Sequence, residues 1–254
     1  MAAISYDSEE ILKFFADRHK IEYPMLADPD SKIIQAYGVF NPEATGMQKG
    51  YARPGYFFID ASGVIREKFF EPKYRERLTG NSIIAKLFPE LGQEVTATLD
   101  APHLQLAVEQ SDRTGVPGTR VTLVVEVRLP PDVHVYAPGT QGYRPIKLAI
   151  EPLPELEFKP LVYPASKILY LPAIKERVPV FEGAFRISQD AKVSSAGLGG
   201  ALAKDGTTVA INGSLEYQAC DKTTCYVPTS VPVKWQLQLF PLDRTRAPAN
   251  IRHK

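Results

Sequence analysis

The chain has 254 residues, 44% hydrophobic and 23% charged, the balance of a globular protein with one or two domains. Thirty basic residues against twenty-nine acidic ones leave a net charge of +1, so no overall field attracts nucleic acid or an anionic membrane. No apolar run reaches the roughly 18 residues that span a bilayer, and the first residues, MAAISYDSEE, lack the basic and apolar regions of a secretory signal.

Up to about residue 92, helix and strand patterns alternate. AAISY reads as a short strand. Ser8 followed by EEILKFFADRHK gives an N-cap, early acids and apolar residues at Ile11, Leu12 and Phe15, which is helical spacing. DSKIIQAYGV repeats the signal, with Asp30 or Ser31 as cap and Gly38 as stop. Asp28 and Asp30 are read as turn and cap residues, because no third carboxylate supports a cation site. GYFFID and VIREKFF flank ASG as a β-hairpin. NSIIAKLFPELG closes this part as a helix. The order suits an α/β domain.

Beyond residue 92 the helical signal fades. EVTATLD, HLQLAVEQ, RVTLVVEVRL, IKLAIEP, FEGAFRIS, TTVAINGSLEYQA and VPVKWQLQLF are short, rich in β-branched residues and separated by Pro, Gly and Asp, the pattern of a β-sandwich. Trp235, the single Trp, is read as core. The closing DRTRAPANIRHK is locally basic and is read as a solvated end.

The only two cysteines lie in LEYQACDKTTCYVP. Cys220 ends one apolar strand and Cys225 begins the next, so the thiols cap a hairpin within bonding reach. A disulfide closing so small a loop removes only about 2 kcal/mol of unfolded-state freedom by the chain-entropy estimate, a poor staple for a domain large enough to fold unaided. Zinc normally takes four ligands, and the four histidines, His19, His103, His134 and His253, are scattered along the chain.

Both halves resemble known families. ISYDSEEILKFFADRHKIEYPMLADPDSKIIQAYGV and ARPGYFFIDASGVIREKFF, over about residues 2 to 88, resemble the later part of a peroxiredoxin or related redoxin of the AhpC/TSA type. That resemblance implies a thioredoxin-like segment in which Pro54 is cis and, with Arg53, lies where a redox cysteine would be. The family's cysteine belongs to a strand and helix upstream of AAISY, and the lost strand would lie between AAISY and GYFFID. A longer redoxin fusion, self-association through unpaired redoxin strands, and no peroxidase activity from this chain are the expectations.

YQACDKTTCYVP, with DVHVYAPGTQGYRPIKL and VPVFEGAFRIS upstream, resembles the N-terminal, immunoglobulin-like domain of thiol:disulfide interchange protein DsbD over about residues 94 to 240. The resemblance implies a redox-active Cys220/Cys225 pair, with Cys225 the more exposed sulfur and Cys220 resolving the mixed disulfide. It places His134 and Tyr136 beside the pair and makes SKILYLPAIKE a cap loop, with Tyr170 and Leu171 as lid residues. Lys222 is close enough in sequence to favour a thiolate, while Asp221 opposes it.

The fold expected is therefore α+β in two domains: an incomplete thioredoxin-like segment over 1–92, an immunoglobulin-like antiparallel sandwich over 93–241, and a basic tail over 242–254. The function implied is relay of reducing equivalents between thioredoxin-like proteins, from a thioredoxin-like reductant to an oxidised client, with no organic cofactor and no metal. The resemblance suggests a periplasmic or other extracytoplasmic setting. Two other readings stay open: a binding module with a structural disulfide, and part of a peroxiredoxin-type antioxidant protein whose catalytic half lies upstream.

Overall fold

The computed structural model describes residues 1–46, 49–70, 76–91, 94–172, 175–194 and 205–252. Contacts divide the chain into two compact units, Met1–Arg77 with Asp243–Lys254, and Leu78–Leu242.

The first unit contains β1 (Ala3–Ser5), α1 (Glu9–His19), β2 (Met25–Ala27), α2 (Lys32–Ala36), β3 (Gly55–Ile59) and β4 (Ile65–Phe70). Ser8 caps α1, its hydroxyl accepting from the Ile11 N–H at 3.4 Å, with Glu9 and Glu10 in the first turn where the helix dipole favours acids. The Asp28 carboxylate is buried and accepts from the Ile34 N–H at 2.8 Å, while exposed Asp30 pairs with Lys32. Ser31 holds the N-cap position of α2 without a side-chain capping bond, and Gly38, at φ +68°, takes the left-handed turn beyond it.

β3 and β4 form the expected hairpin, with Gly55 opposite Phe70. Among the described residues β1 pairs only with β2, in parallel, and β3 only with β4, so AAISY and GYFFID lie in separate two-stranded sheets. No described peptide bond is cis, so the bond before Pro54 is trans, contrary to expectation. Trans is the preferred form even before proline, and the Arg53 N–H donates to the Val39 carbonyl at 2.7 Å as the chain runs into β3. The C-terminal segment begins in contact with α1, since Arg18 donates to both Asp243 carboxylate oxygens and to Thr245.

After the short strand β5 (Arg77–Leu78), the second unit contains α3 (Gly80–Leu87) and then β6 (Glu94–Ala101), β7 (Leu104–Gln110), β8 (Thr114–Gly115) and β9 (Thr119–Arg128). It continues with β10 (His134–Tyr136), β11 (Lys147–Ile150), β12 (Leu156–Phe158), β13 (Lys167–Leu171), β14 (Glu176–Glu182), β15 (Ala184–Val193), β16 (Thr207–Tyr217), β17 (Ala219–Cys220) and β18 (Thr229–Leu239). Three sheets run in the orders β12-β15-β9-β7-β6, β11-β16-β18-β8 and β13-β14-β10-β17. This is the immunoglobulin-like sandwich, and alternation along β9, β15, β16 and β18 fills its core with residues such as Val125, Ile187, Ile211 and Leu237. Trp235 is buried among them and donates its indole N–H to the Glu109 carbonyl on β7 at 2.8 Å.

Three features differ from the sequence reading. FEGAFRIS is two strands, because Gly183, at φ +66°, turns the chain between β14 and β15. The first part of the expected cap segment, Lys167–Leu171, is strand β13, paired along its length with β14. The expected boundary at residue 92 falls after α3, whereas contacts group that helix with the sandwich. Its Ser82 hydroxyl donates to the Arg120 carbonyl at 3.0 Å, and its Lys86 pairs with Asp190 at 2.7 Å.

Candidate functional site

β17 is only two residues long and lies against β10, with Cys220 opposite His134 and Ala219 opposite Val135. Side chains alternate across a strand. Val135 and Ala219, with Phe181 of β14, therefore enter the sandwich core, while Cys220, Tyr136, Val178 and Val180 form a second small apolar cluster on the other face of this sheet. The cysteines occupy that outer face.

Cys220 and Cys225 are joined by a disulfide, with S–S 2.11 Å and Cα–Cα 4.1 Å. Cys220 is 1% exposed, whereas Cys225 is an exposed residue. Asp221 builds the loop between them. One carboxylate oxygen accepts from the N–H groups of Thr223 and Thr224, each at 2.7 Å, and the other accepts from the Tyr226 hydroxyl at 2.6 Å. The Tyr226 hydroxyl and the turn N–H groups stabilise the charged form and hold the Asp221 carboxyl well below the usual carboxylate range. Tyr226 is stacked on His103, with ring centroids 3.5 Å apart.

The Tyr136 hydroxyl lies 3.7 Å from the Cys225 sulfur, a weak contact in which the hydroxyl is the donor, since a disulfide sulfur carries no proton. Burial pushes this phenol's pKa up, and the Glu176 carboxylate adds to the effect. Tyr143 stacks on Tyr136 at 4.2 Å and donates to Glu176 at 2.6 Å. That hydrogen bond is the main reason its own pKa is pushed up to about 12. His134 is buried edge-on to Tyr136, and its Nε2 has no hydrogen-bond partner among the described residues. Desolvation pulls its pKa down, against the opposing pull of Glu182 and Asp221.

The expected site residues separate into distinct groups. His134 and Tyr136 lie beside the disulfide. Leu171, with Leu169, packs on the cluster that contains Cys220, but Tyr170 between them is 48% exposed and lies beneath the Arg177 guanidinium on the opposite side of β13. Ala173 and Ile174 of the expected cap lie outside the described residues. The Lys222 ammonium is bonded to the Asp132 carboxylate at 2.7 Å, which raises its pKa. Arg53 and Pro54 belong to the first compact unit and the disulfide to the second. His19 pairs with Asp243 at 3.4 Å, and His253 lies outside the described residues. No group of three or more metal-ligating side chains occurs among the described residues.

Sequence reasoning missed Tyr143 and the role of Asp221. DKTT carries the signal of an aspartate collecting the amides two and three residues on. Tyr143 carries no such local signal, because it reaches Tyr136 only through the turn after β10. An open groove of about 430 Å³ begins at Tyr143 and is lined also by Arg144, Lys147, Glu216, Pro228 and Thr229.

The family described as thiol:disulfide interchange protein DsbD, N-terminal, matches residues 104–235, just over half of the chain and the whole of the disulfide hairpin. The chain belongs to this family. The AhpC/TSA family matches residues 1–68, the part read as redoxin-like. Similar solved structures include the N-terminal periplasmic domain of ScsB from Proteus mirabilis, 13% identical with a TM-score of 0.37, covering 58% of this chain and 51% of that one. Another is the N-terminal domain of Neisseria meningitidis DsbD in its reduced form, 14% identical with a TM-score of 0.29, covering 46% of this chain and 80% of that one. The present chain thus spans about half the length of the ScsB structure. No curated protein matches the chain.

Proposed function

We propose that the sandwich is a thiol:disulfide exchange module that relays reducing equivalents from a thioredoxin-like reductant to an oxidised client protein. The observation that carries this reading is the asymmetry of the pair: an exposed Cys225 is bonded to a buried Cys220, on the outer face of a sheet where neither sulfur fills the main core. A staple needs no such exposure. Exchange does, because a partner thiolate must approach along the S–S axis.

In the proposed cycle a partner thiolate attacks Cys225, the Cys220–Cys225 bond breaks, and Cys220 leaves as a thiolate. A second partner thiolate releases the module as a dithiol. Running the same steps backwards reduces a client disulfide, with Cys225 attacking and Cys220 resolving. Two electrons and two protons pass in each direction, and the step needs no organic cofactor. Cys220 is buried in the cluster on which Leu171 packs, whereas Cys225 is exposed, so the proposed approach is from the Cys225 side. An extracytoplasmic setting belongs to the proposal, since such compartments let disulfides persist. The ScsB domain is described as periplasmic.

Trapping tests the reading. Cys220→Ser leaves Cys225 free to attack and is expected to accumulate a mixed disulfide with a thioredoxin-like protein, whereas Cys225→Ser forms none. Equal trapping by both variants, or by neither, would remove the assigned roles. The redoxin-like unit adds no thiol, as both cysteines lie in the sandwich. Peroxide turnover with a thiol donor is therefore expected to stay at background, and measurable turnover would contradict this.

A further inference from the structure

The exchange cycle needs a proton acceptor for the buried cysteine. Cys220 has to become a thiolate before it can resolve the mixed disulfide, and at 1% exposure water cannot readily take its proton. An ordinary thiol has a pKa of about 8.5, and apolar surroundings raise it. The cluster packed around Cys220 is apolar: Val178, Val180, Leu169 and Leu171, with the rings of Tyr136 and Tyr143.

A buried side chain on the same face of the sheet can accept that proton. His134 is opposite Cys220 across the β10–β17 pair, so the two side chains leave the sheet on the same face, with β-carbons about 5 Å apart by the geometry of such pairs. The imidazole is 4% exposed, and its Nε2 finds no hydrogen-bond partner among the described residues. Leaving a buried polar atom unsatisfied costs about 1–3 kcal/mol. A nitrogen kept at that cost beside a redox sulfur calls for a partner that the disulfide form does not supply.

We propose that His134 is the proton acceptor for Cys220, and that reduction of the disulfide supplies the missing partner of its Nε2. This inference rests on the exchange role proposed above. In the dithiol form the Cys220 thiol gives its proton to Nε2, leaving a thiolate beside an imidazolium. When Cys225 is held in a mixed disulfide, the Cys220 thiolate attacks the Cys225 sulfur and the Cys220–Cys225 bond forms. The bond from Cys225 to the partner breaks, and the partner's sulfur leaves with the electron pair. The imidazolium proton returns, through solvent, to that leaving thiolate.

The surrounding charges suit this traffic. Glu182 on β14 is opposite His134, and Asp221 follows Cys220 in the loop, so both carboxylates favour the imidazolium. Tyr136 on the same strand stays neutral, because burial raises its pKa. Glu182 is balanced in turn by Lys167 on β13, at 3.6 Å. Desolvation keeps the imidazole neutral in the disulfide form, so it is unprotonated and ready when the thiol appears.

The test is made on the full chain, reduced and converted to a mixed disulfide between Cys225 and an aromatic thiol, whose release reports attack by Cys220. In the native chain the rate is expected to hold from alkaline solution down to neutrality. In His134→Gln it is expected to fall by about tenfold or more near neutrality and to recover in alkaline solution, where Cys220 ionises unaided. A merely structural loss would not recover with pH, and a variant profile that overlays the native one would overturn the proposal. Should the variant not fold, the imidazole resonances of the native chain decide. His134 is expected to titrate at higher pH in the dithiol than in the disulfide form, and identical titrations would overturn the assignment. This intramolecular reaction can be read whether or not thioredoxin-like proteins react with the pair, so the two readings fail separately.

Discussion

The two compact units treat their strands differently. In the sandwich the longest strands have neighbours on both sides: β9 lies between β15 and β7, β15 between β12 and β9, β16 between β11 and β18, and β18 between β16 and β8. Their inward residues are sealed, and Val125, Ile187 and Ile211 are 0% exposed. Among the described residues of the N-terminal unit β1 has only β2 and β3 only β4, and Ile4, Leu26 and Ile59 are 42%, 46% and 43% exposed. The residue types are alike in both places. Flanking strands and a covering layer turn apolar alternation into burial, so strand composition alone is a weak guide to where stability resides.

The units nonetheless share one device. Asp60 and Asp221 each sit at the start of a hairpin turn and collect its N–H groups on one carboxylate, with a side-chain donor on the other oxygen: Arg66 for Asp60 and Tyr226 for Asp221. In the first unit this turn closes a plain hairpin. In the second it presents a disulfide.

The largest contrast is expected on truncating core side chains. Trp235→Ala should destabilise the sandwich by about 3–5 kcal/mol, since it removes a buried indole and its hydrogen bond to the Glu109 carbonyl. Ile59→Ala in the first unit should cost only about 0.5 kcal/mol. Urea unfolding followed by amide exchange of each unit reads both, and equal costs would break the comparison. A second effect concerns the cover over the disulfide. Tyr143→Ala removes the ring stacked on Tyr136, a contact worth about 1 kcal/mol beyond its area, and should speed reduction by a small dithiol several-fold without unfolding the sandwich. An unchanged rate would mean that Tyr143 does not shield the pair.

The smallest effect is on acidification. Hydrogen bonds from Ser62, Val64 and Arg66 lower the Asp60 carboxyl from the usual 3.8 to about 2. A carboxyl depressed in the folded state contributes stability above its unfolded value and loses that contribution as pH falls through its folded value. The β3–β4 turn should therefore loosen as pH falls from about 4 to 2, and the Asp221 turn, whose carboxyl is depressed further, should loosen after it. Carboxyl-carbon titrations by NMR give the order, and the reverse order would contradict the hydrogen-bond assignment.

Much of this was legible in the amino acids. Ser8, Glu9 and Glu10 announce α1, and the apolar runs of β9 and β18 carry the strand pattern of the sandwich. YQACDKTTCYVP points to the disulfide hairpin. What local pattern cannot carry is which side of the sheet a residue takes once short strands pair. Cys220 and Ala219 are neighbours, yet one faces a small outer cluster and the other the core, a distinction set by pairing with β10. For the same reason Tyr170 reads as a lid residue but faces away, while Leu169 and Leu171 on either side pack on the site. SKILYL is a cap loop only by resemblance, and its pairing with β14 makes Lys167–Leu171 a strand.

The most direct measurement is the reduction potential of the Cys220/Cys225 pair, by equilibration against glutathione and thioredoxin with thiol trapping and Cys225→Ser as the control. The exchange account predicts a value between about −180 and −270 mV, the range of working exchange proteins. A value below about −300 mV, or no reaction with thioredoxin, would contradict it and leave a binding sandwich with a structural disulfide.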